Sequence, residues 1–139
     1  MAFDPQTRLL AGSRLLAPLL NLAGFGYVPG PTSEHGHRSR GRFVAGDREL
    51  ELVYQWGLAE VRYRVGKRTL EHSEYMELLG VAGRSAFLNE QHDISCEGFD
   101  GLHKDLLRFA DDFLRGDAER FCRLADRLNA PATIKFRRA

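Results

Sequence analysis

Five histidines, two cysteines and several clusters of carboxylates are the groups in this 139-residue chain that could do chemistry. His35 and His37 form an H-x-H with Glu34 beside them. On a strand, that spacing aims two imidazoles at one ion. In a stretch as rich in Gly, Pro and Ser as 29–41 it offers no preorganised ligands, so no metal site is expected. Cys96 lies near His92 and His103 in sequence, the residue types of a thiolate nucleophile and its base. Such a pair needs a hydrogen bond and a third, orienting group, and proximity in sequence supplies neither. A cysteine-dependent enzyme therefore stands as the third reading, behind two binding functions. Cys122, next to Phe121, reads as a small core or boundary residue.

Among the acids, Glu49 and Glu51 share one face of a strand. Arginines 42 and 64 are their expected neighbours and would hold them ionised, which does not suit a general acid. Asp111-Asp112 reads as a solvated helix face. The sequence has no P-loop and no dinucleotide fingerprint, so no cofactor is expected. Gly24-Phe-Gly26 is a helix stop. The sheet aromatics alternate with aliphatic residues on a core face rather than forming a stacking platform, so direct nucleic-acid binding is not expected.

Behind these residues stands a regular frame. Arg42 to Glu71 reads as four antiparallel strands joined by turns at Gly46-Asp47, Gly57-Leu58 and Gly66-Lys67, since Gly suits the first position of a two-residue type II′ turn. The first turn sets Phe43 opposite Leu50 and Arg42 opposite Glu51. The third sets Tyr63 opposite Leu70 and Arg62 opposite Glu71. The middle turn sets Leu52 opposite Tyr63 and Glu51 opposite Arg64. Leu50, Leu52, Tyr54, Trp56, Val61 and Tyr63 then share an inner face, with charge ladders Arg42–Glu51–Arg64 and Arg62–Glu71 outside.

Asp4-Pro5 opens an N-terminal helix that Pro18 should kink or split and Gly24 should end. Residues 29–41 read as a mobile loop and residues 81–98 as a second long loop. Ser73 is the expected cap of a short helix stopped by Gly80. A helix from about Asp100 carries Leu102, Leu106, Phe109 and Phe113 inward and Asp105, Arg108 and Asp112 outward. Asp117 is the expected cap of the last helix. Ile134 to Arg138 reads as a frayed end or a short strand. The fold class is α+β: an N-terminal helix, a four-stranded antiparallel meander, then three helices packed on one sheet face, in a single domain spanning 1–139.

Hydrophobic content of 43% and charged content of 28% mark a globular chain. Two cysteines fit a reducing compartment. The apolar run Leu15 to Phe25 is interrupted by Pro18 and Asn21 and falls short of the ~20 residues needed to span a bilayer. A cytoplasmic protein with no membrane association, monomeric or weakly dimeric, is expected. The net charge is +1 but uneven. Residues 84–112 hold seven acids against three bases, and residues 113–139 hold seven bases against three acids. The acidic segment, through Glu90, Asp93, Glu97, Asp100 and Asp105, is the expected partner-binding surface for a basic protein.

Arg48-Glu-Leu-Glu-Leu52, Tyr63-Arg-Val-Gly66, His72-Ser-Glu-Tyr-Met76 and Gly98-Phe-Asp-Gly-Leu102 together resemble a group of small bacterial proteins, over Arg42 to Phe113. In size and in its structural rather than catalytic motifs, the chain is also similar to immunity proteins of bacterial polymorphic-toxin and contact-dependent inhibition systems. That resemblance implies a cytosolic protein that binds and blocks one cognate toxin domain, often a nuclease. The alternative binding function is a secretion chaperone or adaptor.

Overall fold

Alternation of apolar and charged residues along the strands gives the sheet one dry face, and the helices gather on it. The computed structural model describes residues 4–33, 36–89, 98–116 and 118–129. Helix α1 (Pro5–Leu22) leads into strands β1 (Gly26–Thr32), β2 (Ser39–Ala45), β3 (Arg48–Tyr54), β4 (Leu58–Val65) and β5 (Arg68–Glu71). Helices α2 (His72–Leu78), α3 (Ala86–Asn89), α4 (Phe99–Phe109), α5 (Asp111–Leu114) and α6 (Ala118–Asn129) follow, with a 3₁₀ turn at Ala82–Arg84. The class is α+β, and the sheet is an antiparallel meander in the order β1-β2-β3-β4-β5.

The fifth strand corrects the expected loop at 29–41. Gly26↔Val44, Tyr27↔Phe43, Val28↔Arg42 and Pro29↔Gly41 pair, with an irregularity before Thr32↔Ser39. Pro29 and Pro31 hide this strand from sequence because proline cannot donate to a ladder. They are tolerated here because β1 is an edge strand, where one row of backbone groups needs no partner. Tyr27 explains Gly41: a Cβ at Gly41 would stand 2.1 Å from the Tyr27 hydroxyl.

Two of the three expected turns set their registers as predicted. Phe43↔Leu50 and Arg42↔Glu51 pair across Gly46-Asp47, and Tyr63↔Leu70 and Arg62↔Glu71 pair across Gly66-Lys67. Both glycines have φ of +61°. The middle register differs. Leu52 pairs with Val61, Glu51 with Arg62 and Tyr54 with Leu58, because the connection is Gln55-Trp56-Gly57, closed by Gln55 N–H donating to the Gly57 carbonyl at 2.8 Å. The slip is two residues, an even number, so the faces survive it. Trp56 does not survive it. It lies in the turn, 69% exposed, rather than in the core.

The core lies between the sheet and the helices, and aromatic rings tie the layers. Tyr63 meets Phe113 edge-on at 4.9 Å and Tyr75 at 4.8 Å, Phe25 meets Phe113 at 5.5 Å, and Tyr54 stacks on Phe99 at 6.3 Å. Helix α1 is capped by Asp4, which accepts from Gln6 N–H at 3.1 Å. It runs unbroken through Pro18, which removes only the one N–H that would bond the preceding turn. Glycine lets α1 approach α4 closely: a Cβ at Gly12 would sit 2.2 Å from the Phe99 ring. Ser73 is not the cap of α2. Glu71 takes that position in a capping box with Glu74, whose carboxylate accepts from Glu71 N–H at 2.8 Å. Gly80, at φ +76°, follows the end of α2 as expected. The helix expected to run from about Asp100 through Phe113 breaks at Ala110 into α4 and α5. Short helical turns occupy part of the expected second loop, and its residues 90–97 lie outside the described residues, as do Asp117 and the tail from 130 to 139.

Candidate functional site

Among the described residues the most concentrated polar chemistry is buried. Tyr63 on β4, His72 at the start of α2, Ser85 and Asp105 on α4 are each at most 2% exposed. His72 Nε2 lies 2.8 Å from Asp105 Oδ2, and His72 Nδ1 lies 2.7 Å from the Tyr63 hydroxyl. The Nε2–H tautomer satisfies both contacts, donating to the carboxylate and accepting from the phenol. Ser85 Oγ–H also donates to Asp105 Oδ2. Backbone N–H groups of Ala86 and Phe87 donate to the same carboxylate at 2.7 and 3.1 Å. Burial alone would raise the Asp105 carboxyl. Hydrogen bonds from His72, Ser85, Ala86 and Phe87 outweigh it and hold the group below the usual aspartate range.

This arrangement differs from a Ser-His-Asp relay in its order. A relay needs the imidazole between hydroxyl and carboxylate, so that the ring can take the hydroxyl proton. Here the carboxylate stands between Ser85 and His72, and the hydroxyl that does face the imidazole is the Tyr63 phenol, which is fully buried. The cluster is a clasp: Asp105 supplies the first-turn acceptor for α3 from a different helix, and it ties α4 to α2 and β4. His72 and Ser85 carry no local signal of this role, because their partners lie 33 and 20 residues away in sequence.

The open face of the sheet carries the second concentration of charge. Glu49, 13% exposed, accepts from Arg42 at 3.1 Å and Arg64 at 2.9 Å. Glu51 faces Arg62 at 3.3 Å and Arg40 at 3.7 Å. Arg62 reaches Glu71 at 2.6 Å, and Arg38 reaches Glu60 at 2.6 Å. The Arg62–Glu71 ladder forms as expected. In the other, the changed β3–β4 register sets Arg64 opposite Glu49, and Arg42, still in register with Glu51, reaches diagonally to Glu49, which becomes the shared acid. Val53, 2% exposed, is flanked in this lattice by its register partners Arg40 and Glu60, whose aliphatic stems can shield it. A hollow of about 390 Å³ lies between Pro29–Pro31 of β1 and the lattice residues Arg40, Arg42, Glu49 and Glu51.

At one end of this face the β3–β4 turn projects Trp56. Its backbone sits at φ +60°, the only positive φ of a non-glycine residue among the described residues. Arg38 braces the turn, donating to Gln55 Oε1 at 3.0 Å while bound to Glu60. The β1–β2 turn closes at the same end through Ser33 N–H donating to the Arg38 carbonyl at 2.7 Å. The indole is thus a large apolar side chain, 69% exposed, presented on a turn with strained backbone at the rim of this face.

Of the five residues expected from sequence to bind a partner, the structure describes Asp100 and Asp105. Glu90, Asp93 and Glu97 lie outside the described residues. Asp100 stands half-exposed in the first turn of α4, 3.3 Å from Lys104. Asp105 is corrected: at 0% exposure it belongs to the clasp and to no surface. His35, His92 and Cys96 lie outside the described residues, while His103 and Cys122 are half-buried on α4 and α6. Among the described residues no group of three His, Cys, Asp or Glu side chains is placed to hold a metal ion. No described helix is long and apolar enough to cross a membrane. Comparison with known proteins found no matching family model, no matching curated protein and no matching solved structure.

Proposed function

We propose that this chain is a non-catalytic protein-binding module, and within that class an immunity protein that binds and neutralises a cognate bacterial toxin domain in the cytoplasm. The observation that carries the reading is Trp56, 69% exposed at φ +60° on the rim of an uncovered sheet face. Tryptophan is enriched among the few residues that dominate interface energies. The charge lattice beside it supplies a polar rim that is already organised. Glu90, Asp93, Glu97 and Asp100 are the proposed charge complement to a basic toxin cleft, and they would speed association more than they deepen affinity.

The test is co-expression with the toxin domain encoded beside this gene. Growth protection and a co-purifying complex are expected. Trp56→Ala should weaken the complex by about tenfold or more, the loss of a dominant interface residue. Neither protection nor a complex with the wild-type chain would remove the reading.

A further inference from the structure

A groove of about 390 Å³ lies in the helical layer, between the C-terminal end of α2 and α6. Leu78, Leu79 and Leu124 form its apolar floor and are partly buried. Arg120, Arg123 and Arg127 rim it, exposed, at i, i+3 and i+7 on one face of α6. Arg120 reaches Asp112 at 3.5 Å. Arg123 and Arg127 have no acidic partner among the described residues. On the sheet face the pattern is the reverse, since Arg38, Arg40, Arg42, Arg62 and Arg64 each stand within 4.0 Å of a glutamate.

We propose that this groove docks an acidic amphipathic helix of a protein partner, with leucine-type anchors on the floor and carboxylates on the arginine rim. Two features carry this. Asp112 lines the α5 end of the groove and is matched by Arg120, so the uncompensated positive charge is at Arg123 and Arg127, one turn of α6 apart, which matches carboxylates at the same i, i+4 spacing on a docked helix. The floor is aliphatic, so it desolvates an apolar side chain and offers no aromatic surface for a base to stack on. The chain's own C-terminal segment is a poor occupant by charge: residues 130–139 carry Lys135, Arg137 and Arg138 and no acid. This site lies on the helical layer, away from the open sheet face, and stands independently of the toxin reading.

The probe is a fluorescein-labelled synthetic helix with leucines at i and i+4 flanked by glutamates, titrated against the full chain by anisotropy. Binding should saturate, weaken with added salt, and shift the amide resonances of 78–79 and 120–127. Arg123→Glu with Arg127→Glu should weaken it by about tenfold or more, the effect of like charge at an interface. Thermal unfolding would confirm that this variant folds, and a lysine-bearing version of the probe should recover binding to it. Equal binding of a scrambled peptide of the same composition would overturn the proposal, as would tighter binding of a mixed-sequence single-stranded RNA. Self-association of the wild type that the double substitution abolishes would assign the groove to a second copy and overturn it too.

Discussion

Asp105 and Glu49 are both carboxylates held by several donors, yet they belong to regions governed by different physics. Asp105 has no exposure and gathers donors from His72, Ser85, Ala86 and Phe87, all distant in sequence. Glu49 is 13% exposed and gathers Arg42 and Arg64 from the two adjacent strands. Removing Asp105 would strand a buried imidazole, a hydroxyl and two backbone donors. Removing Glu49 would leave two guanidiniums, each nearly half-exposed, that water can solvate. The clasp therefore sets where the helices sit. The lattice reinforces a register that its turns and apolar face already fix.

The largest expected effect tests that difference directly. Asp105→Ala should destabilise the fold by about 3–5 kcal/mol, the cost of leaving several buried donors unsatisfied at about 1–3 kcal/mol each, measured by urea unfolding. A loss comparable to that of Glu49→Ala would erase the contrast. The same residue sets a pH signature. Its folded pKa lies below the usual value, so the unfolded chain takes up the proton first as pH falls. The stabilisation is complete above about pH 4 and disappears as pH drops through the lowered folded value. Asp105→Asn should flatten stability against pH in that acidic window, whatever its effect at neutrality.

Gly12→Ala probes the other fixed point of the helical layer. The added methyl meets the buried Phe99 ring, and overpacking of this kind destabilises by about 1–3 kcal/mol, checked by thermal or urea unfolding. Glu49→Ala should lower stability by about 1 kcal/mol or less, and added salt should shrink the difference further. Smallest in stability but opposite in sign is Trp56→Gly. Relief of the left-handed backbone should stabilise by about 0.5–1 kcal/mol, while the proposed complex weakens by about tenfold or more, as for Trp56→Ala. A variant both more stable and less able to bind would separate strain held for function from strain incidental to folding.

Much of the sheet was legible because its signals are local. Gly46 and Gly66 specify two-residue turns, and a turn fixes its own register. Leu50, Leu52, Tyr54, Val61 and Tyr63 face the core because strand alternation leaves them one side. Asp4-Pro5 and Gly80 mark helix ends through groups adjacent in the chain. The candidate site was less legible. Trp56 alternates in phase with the core residues and reads as one of them until the turn is known to hold three residues. Strand β1 was hidden by its prolines, since only an edge position makes them tolerable. Asp105 falls on the charged stripe of its helix by periodicity, yet the structure buries it.

The sequence by itself determined the class, the faces of β2 to β5 and two of the four hairpin registers, because each follows from neighbours within a few residues and from a period of two. Only the tertiary structure decided that Asp105 is interior, that Trp56 is exterior, and that Arg123 and Arg127 flank an apolar groove. Each of those outcomes depends on a segment brought from elsewhere in the chain or on the conformation of a turn. A polar side chain is stable inside when distant donors converge on it, and no local pattern records where those donors will be.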